Sequence, residues 1–274
     1  MTAPTGRCAV LGRPIAHSLS PALHRAAYAA AGLDWTYDPV DLGADELAGF
    51  LDGLDASWRG LSMTMPLKRV AIPLLDELTD RAAQAQAANT VVLRDGRRTG
   101  HNTDVPGAVR ALRERYDGPV RGAVILGGGA TASSTLLALA DLGCREVTLV
   151  VRDEARAAET LAAAARHPHP PEVAVRHFGT PVRAADILVS TIPAAAQVAD
   201  VLGLARDAPV VFDVVYDPWP TPLATLARES GATLVAGLDL LVHQAVLQFQ
   251  LMTGSDADVT AVMRAAGEQA LGAR

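Results

Sequence analysis

The sequence predicts an α/β fold in two parts, an N-terminal α/β part followed by a Rossmann-like part. Short β-type runs alternate with Ala/Leu-rich helical stretches along the 274 residues, which is typical of sheets whose strands are joined by helices. From Arg121 onward this alternation becomes regular and includes a glycine-rich turn between a strand and a helix. Half of the residues are hydrophobic and only 4% are aromatic, so Ala, Leu and Val must form the cores.

Composition and charge exclude several classes of partner. The net charge is −6 and no basic cluster occurs, which argues against a nucleic-acid partner. The start "MTAPTGR" lacks a signal-peptide segment and no apolar run approaches the ~20 residues of a membrane span. Cys8 and Cys144 lie far apart and fit no metal or disulfide pattern. We therefore expect a cytoplasmic protein that contacts neither membrane nor nucleic acid.

The first part begins with the strand candidate "RCAVL", followed by the stretch "GRPIAHSLSPALH". Ser20 before Pro21 predicts a helix N-cap with proline at the first helical position. Because a helix N-terminus offers free N–H groups, the hydroxyls of Ser18 and Ser20 would make a neutral cradle for a small carboxylate there. Further strands are predicted at "WTYDPV" and "GLSMT", and "NTVVLRDGRRTG" predicts a hairpin with Asp95-Gly96 at its turn.

The second part opens on "RGAVILGGGATAS", a strand, a glycine-rich turn and a helix start. Glycine there lets the backbone turn sharply and lets a pyrophosphate approach the next helix. "EVTLVVRD", "ADILVSTIP" and "APVVFDVVYD" are further strand candidates, and "HPHPPEVAVRHF" is interpreted as a proline-rich loop. Three histidines lie in that loop, but their spacing matches no standard ligand set, so no metal site is predicted.

The end of the second Rossmann strand, Val151-Arg152-Asp153, leaves the cofactor open. A carboxylate at this place would bind the ribose hydroxyls of NAD, whereas an arginine suits the 2′-phosphate of NADP. The chain then ends in two helices, the first of which carries one continuous apolar stripe. Gln244 and Gln248 occupy the face next to that stripe.

Two stretches of the first part supply groups for proton transfer. "GLSMTMPLK" ends a strand and delivers Thr64 and Lys68, and "GHNTD" delivers Asp104. A lysine beside an aspartate can exchange a proton with a substrate hydroxyl while the carbon gains or loses hydride. The two residues lie 36 positions apart, so the sequence alone does not show whether their side chains are in contact.

These stretches, in this order, resemble the shikimate dehydrogenase family across nearly the whole chain. The resemblance rests on "GRPIAHSLSPALH", "GLSMTMPLK", "AANT", "GHNTD", the glycine turn, "VVYDP" and "GLDLLVHQA". It implies NADPH-dependent reduction of 3-dehydroshikimate to shikimate, a step of aromatic amino-acid biosynthesis. It further implies a substrate domain over residues 1–105 with the C-terminal helices 238–274 packed onto it, an NADP-binding domain over 106–237, and a cleft between them.

The resemblance also implies a role for each matching residue. The catalytic pair would be Lys68 and Asp104. The substrate contacts would be Ser18, Ser20, Thr64, Asn89, Tyr216 and Gln244. The NADP site would be formed by Asp80, Gly127, Gly128, Gly129, Ala130, Thr131, Ala132, Arg152 and Gly237.

Two alternatives stay open at this point. A quinate- or aminoshikimate-type dehydrogenase of the same family would share these motifs, and the volume around the serine pair would distinguish it. A non-catalytic ligand-binding relative is disfavoured because Lys68 and Asp104 are both present. The sequence is compatible with a monomer or a homodimer.

Overall fold

The computed structural model of the chain describes residues 5–273. It divides into two compact units. The first unit contains the chain up to Thr103 and again from Leu241, and the second runs from Asp104 to Leu240. Both units are sheets flanked by helices, so the predicted α/β class is confirmed.

The first unit is built on a six-stranded mixed sheet in the order β2-β1-β3-β5-β6-β4. Its strands are β1 (Gly6–Gly12), β2 (Trp35–Asp41), β3 (Trp58–Met63), β4 (Glu77–Leu78), β5 (Thr90–Arg94) and β6 (Arg97–His101). Its helices in this part of the chain are α1 (Ser20–Ala30), α2 (Leu47–Asp52), α3 (Leu67–Val70) and α4 (Asp80–Ala85). β1 pairs in parallel with β2 and β3, whereas β5 is antiparallel to both β3 and β6.

The second unit has a six-stranded parallel sheet in the order β12-β11-β10-β7-β8-β9. Its strands are β7 (Gly122–Leu126), β8 (Glu146–Val151), β9 (Glu172–His177), β10 (Ile187–Ser190), β11 (Val210–Asp213) and β12 (Thr233–Ala236). Its helices are α5 (Asp104–Arg115), α6 (Ala130–Asp141), α7 (Ala158–Ala165), α8 (Ala199–Ala205) and α9 (Pro222–Ser230). This is the strand order of doubly wound dinucleotide-binding sheets, whose order reverses between the first and fourth strands, here β7 and β10.

Two C-terminal helices complete the chain, α10 (Gly237–Thr253) and α11 (Thr260–Gly272). The predicted stripe on α10 is buried at Val242, Ala245, Phe249 and Met252, and α11 packs on α1 within the first unit. Among the residues described, no helix combines the length and apolar character needed to cross a bilayer.

Two local predictions are wrong. α1 begins at Ser20 itself, so the N-cap position falls on Leu19 and Ser20 is not the cap. "HPHPPEVAVRHF" is not a loop throughout, because Glu172–His177 forms the edge strand β9 beside β8. Its prolines precede the strand, where no ladder hydrogen bond is lost, and proline is tolerated at such positions.

The core of the first unit contains an uncharged histidine. His24 on α1 is fully buried, stacks on Tyr37 at 4.0 Å, and its Nδ1 lies 3.0 Å from the Ser20 carbonyl oxygen. Its Nε2 has no hydrogen-bond partner among the described residues. A second proton would therefore leave a buried, unpaired charge, and burial lowers the pKa of His24 to about 4.

This burial predicts acid-sensitive stability. In the unfolded chain His24 takes up a proton near its ordinary pKa of 6.5, whereas the folded chain resists protonation until about pH 4. Stability is therefore full above the unfolded pKa and falls as the pH drops toward 4, by about 2 kcal/mol between pH 7 and 5.

Urea unfolding at both pH values tests this expectation. His24→Phe should lose about 2 kcal/mol less than the wild type between pH 7 and 5. The control His177→Phe changes an exposed histidine and should keep the wild-type pH dependence. Identical pH dependence in the wild type and His24→Phe would contradict the role given to His24.

Candidate active site

The polar residues of the first unit gather at one edge of its sheet. Because β1 and β3 are parallel and β5 and β6 alternate in direction, the ends of β1, β3 and β6 meet the start of β5 there. We call this the polar edge. The segments that continue from these strand ends carry most of the predicted substrate residues, so the strand order itself brings them into one region.

A close backbone approach joins two of these segments. The Thr64 N–H donates to the Leu11 carbonyl at 2.9 Å, and the Arg13 N–H donates to the Met65 carbonyl at 3.0 Å. A Cβ on Gly12 would lie 2.3 Å from Thr64 Cγ2 and 2.8 Å from the Met65 carbonyl oxygen. Glycine is required here for space, and it lets the serine segment lie directly beside the Thr64 segment.

The serine pair is locally ordered. Ser18 Oγ accepts the Ser20 N–H at 3.3 Å, and the Ser18 N–H donates to the Ile15 carbonyl at 2.9 Å. Ser20 is buried and Ser18 half-buried. Burial raises the pKa of Tyr37, and hydrogen bonds with the Ser62 and Ser20 hydroxyls oppose that rise. The Ser20 side chain therefore faces a buried hydroxyl as well as the start of α1.

Asn89 lies at the centre of the polar edge. Its N–H donates to the His101 carbonyl at 3.1 Å and its carbonyl accepts the Met63 N–H at 2.8 Å. Its side chain is also fixed, since Oδ1 accepts the Thr103 N–H at 2.8 Å and Nδ2 donates to Thr103 Oγ1 at 2.8 Å. Asn89 thus connects β3 with β6.

Gln244 and Lys68 approach Asn89 from two directions. Asn89 Nδ2 donates to Gln244 Oε1 across 3.4 Å, and Gln244 Nε2 donates to the Leu241 carbonyl at 2.8 Å. Lys68 is half-buried on α3, and its backbone carbonyl accepts the Ala88 N–H at 2.7 Å. The structure therefore places Lys68 and Gln244 on segments that contact the Ala88-Asn89 stretch.

Lys68 has a further property, which is visible in the sequence. Of the 24 lysines and arginines in the chain, Lys68 is the only lysine. An arginine stays protonated in proteins, whereas a primary amine can lose its proton and regain it. Lys68 is therefore the one side-chain cation besides histidine in this chain that can readily donate a proton and regain it.

The remaining predicted residues of this region differ in position. Asp80 is exposed at the start of α4, and the Thr79 N–H before it donates to the Gly100 carbonyl of β6 at 3.0 Å. Asp104 is buried, follows Thr103 directly and opens α5 in the second unit. Its proximity to Lys68 stays a prediction.

The glycine turn of the second unit has the geometry of a phosphate-binding turn. It follows β7 at the point where the strand order reverses. Gly127 adopts φ +106°, which favours glycine, and a Cβ on Gly128 would lie 2.3 Å from the Arg156 carbonyl oxygen. A Cβ on Gly129 would meet nothing within 4 Å, so this glycine leaves the helix N-terminus uncovered.

The N-terminus of α6 presents unpaired donors beyond that turn. The hydrogen-bond ladder of the helix begins where the Ser133 N–H donates to the Gly129 carbonyl at 3.0 Å. The N–H groups of Ala130, Thr131 and Ala132 consequently have no carbonyl partner within the helix. Together with the helix dipole, they fit the pyrophosphate of a dinucleotide.

Arg152 and Asp153, the two residues that follow β8, have different surroundings. Asp153 Oδ1 accepts the Ala155 N–H at 3.0 Å and caps the short 3₁₀ helix Glu154–Ala157. Arg152 is exposed and forms no ion pair among the residues that the structure describes. The carboxylate is therefore engaged by the backbone, while the guanidinium is accessible to a ligand phosphate.

A buried carboxylate orders the loop that carries Tyr216. Asp213 at the end of β11 accepts hydrogen bonds from Thr221 Oγ1 at 2.5 Å, Gln197 Nε2 at 3.0 Å and the Val215 N–H at 3.3 Å. Burial raises the pKa of Asp213, and these hydrogen bonds oppose the rise. Tyr216 itself is half-buried. No role for Asp213 was predicted from the sequence.

Gly237 begins α10 in very close contact with the same loop. A Cβ on Gly237 would lie 2.5 Å from the Val214 carbonyl oxygen. Asp239 Oδ2 accepts the Ala236 N–H at 2.9 Å, and Asp239 pairs with Arg115 at 2.8 Å. The helix start is thus held by an ion pair that the sequence did not reveal. Within the described range, metal-binding side chains form no group of three or more.

Two family models match parts of the chain. A family model described as the shikimate dehydrogenase substrate binding domain matches residues 10–91, and one described as the shikimate 5′-dehydrogenase C-terminal domain matches residues 237–266. The shikimate dehydrogenase (NADP(+)) of Moorella thermoacetica is 38% identical, over 99% of this chain and 95% of that protein.

Solved structures show the same similarity. The Mycobacterium tuberculosis shikimate dehydrogenase matches with a TM-score of 0.86 and 40% identity, covering 98% of this chain and 100% of the other. Quinate dehydrogenase from Corynebacterium glutamicum in complex with NAD matches with a TM-score of 0.87 and 30% identity, covering 97% and 99%.

Proposed function

The chain belongs to the shikimate dehydrogenase family, and we propose that it reduces 3-dehydroshikimate to shikimate with NADPH, reversibly, in aromatic amino-acid biosynthesis. The observation that carries this proposal is the similarity over 99% of the chain to an enzyme of that name. The polar edge supports it, because its buried hydroxyl and carboxamide groups suit a small, hydroxyl-rich substrate.

The proposed substrate contacts divide by chemistry. Shikimate has one carboxylate and three hydroxyls, so it needs one anion cradle and several neutral hydrogen-bonding partners. Ser18 and Ser20 would bind the carboxylate at the start of α1. The hydroxyls and ring would contact Thr64, Asn89, Tyr216 and Gln244. No positive charge is needed for the carboxylate, since helix N–H groups and hydroxyls donate to it.

Lys68 is the proposed proton donor. During reduction, the carbonyl oxygen of the substrate gains negative charge, and the Lys68 ammonium donates a proton to that oxygen. Asp104 would hold the ammonium in place by charge, and the two residues together form the proposed catalytic pair. When bound, NADPH supplies the hydride. In the reverse direction the neutral Lys68 amine accepts the hydroxyl proton.

The NADP site is proposed on the second unit. Gly127, Gly128 and Gly129 with the N–H groups of Ala130, Thr131 and Ala132 would bind the pyrophosphate. Arg152 would bind the 2′-phosphate through parallel hydrogen bonds. Gly237 would lie near the nicotinamide and Asp80 at its edge. The capping role of Asp153 supports NADP over NAD, because that carboxylate is already bonded to the backbone.

A second candidate within the family is a quinate- or aminoshikimate-type dehydrogenase. The structural similarity to quinate dehydrogenase supports this second candidate. Quinate has an extra hydroxyl at the carboxylate-bearing carbon, so it needs additional space beside Ser18 and Ser20. We also propose that the enzyme works in the cytoplasm as a monomer or homodimer; its two cysteines are free, buried thiols.

Steady-state assays with purified enzyme test the substrate. The oxidation of shikimate by NADP+ should proceed with a kcat/KM in the ordinary enzymatic range of about 10⁴–10⁸ M⁻¹s⁻¹, and quinate and aminoshikimate should each be at least about tenfold poorer. A higher kcat/KM for quinate would favour the second candidate. Failure of all three substrates would overturn the proposal.

Lys68 variants test the proton transfer. Lys68→Ala should lower kcat by roughly 10²–10⁴ with a smaller change in KM. Lys68→Arg keeps the charge but cannot give up a proton, so we expect a similar loss of kcat. Arg69→Ala is the neighbouring control on the same helix. Near-native kcat in Lys68→Arg would remove proton transfer by Lys68 from the mechanism.

Arg152 variants test the cofactor preference. A charge-assisted contact to a phosphate contributes about 1.5–3 kcal/mol, so the wild type should prefer NADPH over NADH by about one to two orders of magnitude in kcat/KM. Arg152→Ala should remove most of that ratio by weakening NADP binding. Arg145→Ala, at the opposite end of β8, should retain it. A wild-type preference for NADH would contradict the assignment.

A further inference from the structure

A continuous series of buried hydrogen bonds lies behind the polar edge. It runs through the side chains of Tyr37, Ser62, Gln248, Thr90 and Asn89, each of which is at most 4% exposed. Buried polar groups are costly unless they are paired, and this series leaves its members paired. Gln248 is its middle member and has no role in the proposed function.

The direction of each bond follows from one backbone group. The Thr103 N–H can only donate, so the group it meets on Asn89 must be the carboxamide oxygen, at 2.8 Å. Thr90 Oγ1 donates to the same oxygen at 3.0 Å. Both lone pairs of Asn89 Oδ1 are thereby used, which turns Nδ2 toward Gln244.

Gln248 holds Asn89 in two ways. Its Nε2 donates to the Asn89 backbone carbonyl at 3.1 Å and to Thr90 Oγ1 at 2.9 Å. The second bond occupies a lone pair of the Thr90 hydroxyl, so that the Thr90 proton goes to Asn89 Oδ1. One amide therefore fixes both the backbone of Asn89 and, through Thr90, its side chain.

The orientation of Gln248 is fixed in turn from the other side. Tyr37 donates to Ser62 Oγ at 2.6 Å, and Ser62 Oγ donates to Gln248 Oε1 at 2.9 Å. A flipped Gln248 amide would set Oε1 against the Asn89 carbonyl oxygen, two acceptors facing each other.

Gln248 lies one turn after Gln244 on α10, and residues four apart share a helix face. The two glutamines meet the same asparagine: Gln244 contacts Nδ2 across 3.4 Å, and Gln248 contacts the backbone carbonyl. The longer contact is the weaker one and faces the proposed substrate. The shorter contacts set the position of α10 relative to Asn89.

We propose that Gln248 is a positioning residue, which sets the orientation of Asn89 and its spacing from Gln244 for recognition of a substrate hydroxyl. This inference rests on the proposed function, in which Asn89 and Gln244 contact the substrate. Gln248 touches no reacting atom and acts only through Asn89. Its loss should therefore weaken binding of the substrate and leave the proton transfer at Lys68 in place.

A double-mutant cycle separates this role from general stability. Gln248→Met is of similar length but cannot hydrogen-bond, and it should lower kcat/KM for shikimate roughly tenfold, mainly through KM, because the two hydrogen bonds to Asn89 and Thr90 are lost. In an Asn89→Ala background the same change should cost less than about twofold. In an Arg152→Ala background, which changes no hydrogen bond of the series, it should again cost about tenfold.

Two further comparisons keep the test decisive if Gln248→Met folds poorly. Thr90→Val removes the linking hydroxyl and should reproduce the rise in KM. Thr90→Ser retains the hydroxyl and should therefore keep the wild-type KM. Gln250→Met, on the same helix and outside the series, is the matched control and should leave KM unchanged. Thermal unfolding of every variant establishes that it is folded at the assay temperature.

The outcomes distinguish the two levels of inference. Equal effects of Gln248→Met in the wild-type and Asn89→Ala backgrounds, or equal KM values for Thr90→Val and Thr90→Ser, would overturn the positioning role. A wild-type enzyme that is inactive on shikimate would overturn the proposed function instead. Altered melting temperatures with unchanged KM would show that the series serves stability alone.

Discussion

The hydrogen bond from the Thr103 N–H to Asn89 Oδ1 is the constraint on which the polar edge depends. A backbone amide cannot reverse its direction, so this bond decides which end of the Asn89 carboxamide faces Gln244. It also fastens the segment after β6 to the residue before β5. Strand order brings the segments to one edge of the sheet. This single fixed donor then decides which of the polar groups there donate hydrogen bonds and which accept them.

Both units hold their functional loops by similar means. In the second unit the buried Asp213 carboxylate accepts hydrogen bonds from the Tyr216 loop, and Asp239 binds the backbone ahead of Gly237. Buried acceptors that are filled by backbone N–H groups are rigid, because moving the loop would leave them unpaired. The residues assigned to substrate and cofactor binding are therefore positioned by neighbouring residues that take no part in the proposed reaction.

Much of the fold could be predicted from the sequence, because alternation and turn residues are local signals. β1, β3 and the hairpin turn at Asp95-Gly96 follow from them directly. β9 was missed because its prolines suggested a loop, and sequence alone does not show that they precede an edge strand. For the site, periodicity places Gln248 on the face next to the apolar stripe, yet its partners come from strands 158 and 186 residues away. Such partners depend on tertiary packing.

The half-buried Lys68 has a practical consequence, since it carries the only side-chain amine of the molecule. Reagents that couple to lysine, such as succinimidyl dyes, aldehyde fixatives and activated-ester supports, have a single side-chain target here, and it lies in the candidate active site. Labelling at lysine would block the site instead of decorating the surface, so probes and tethers are better directed to carboxylates.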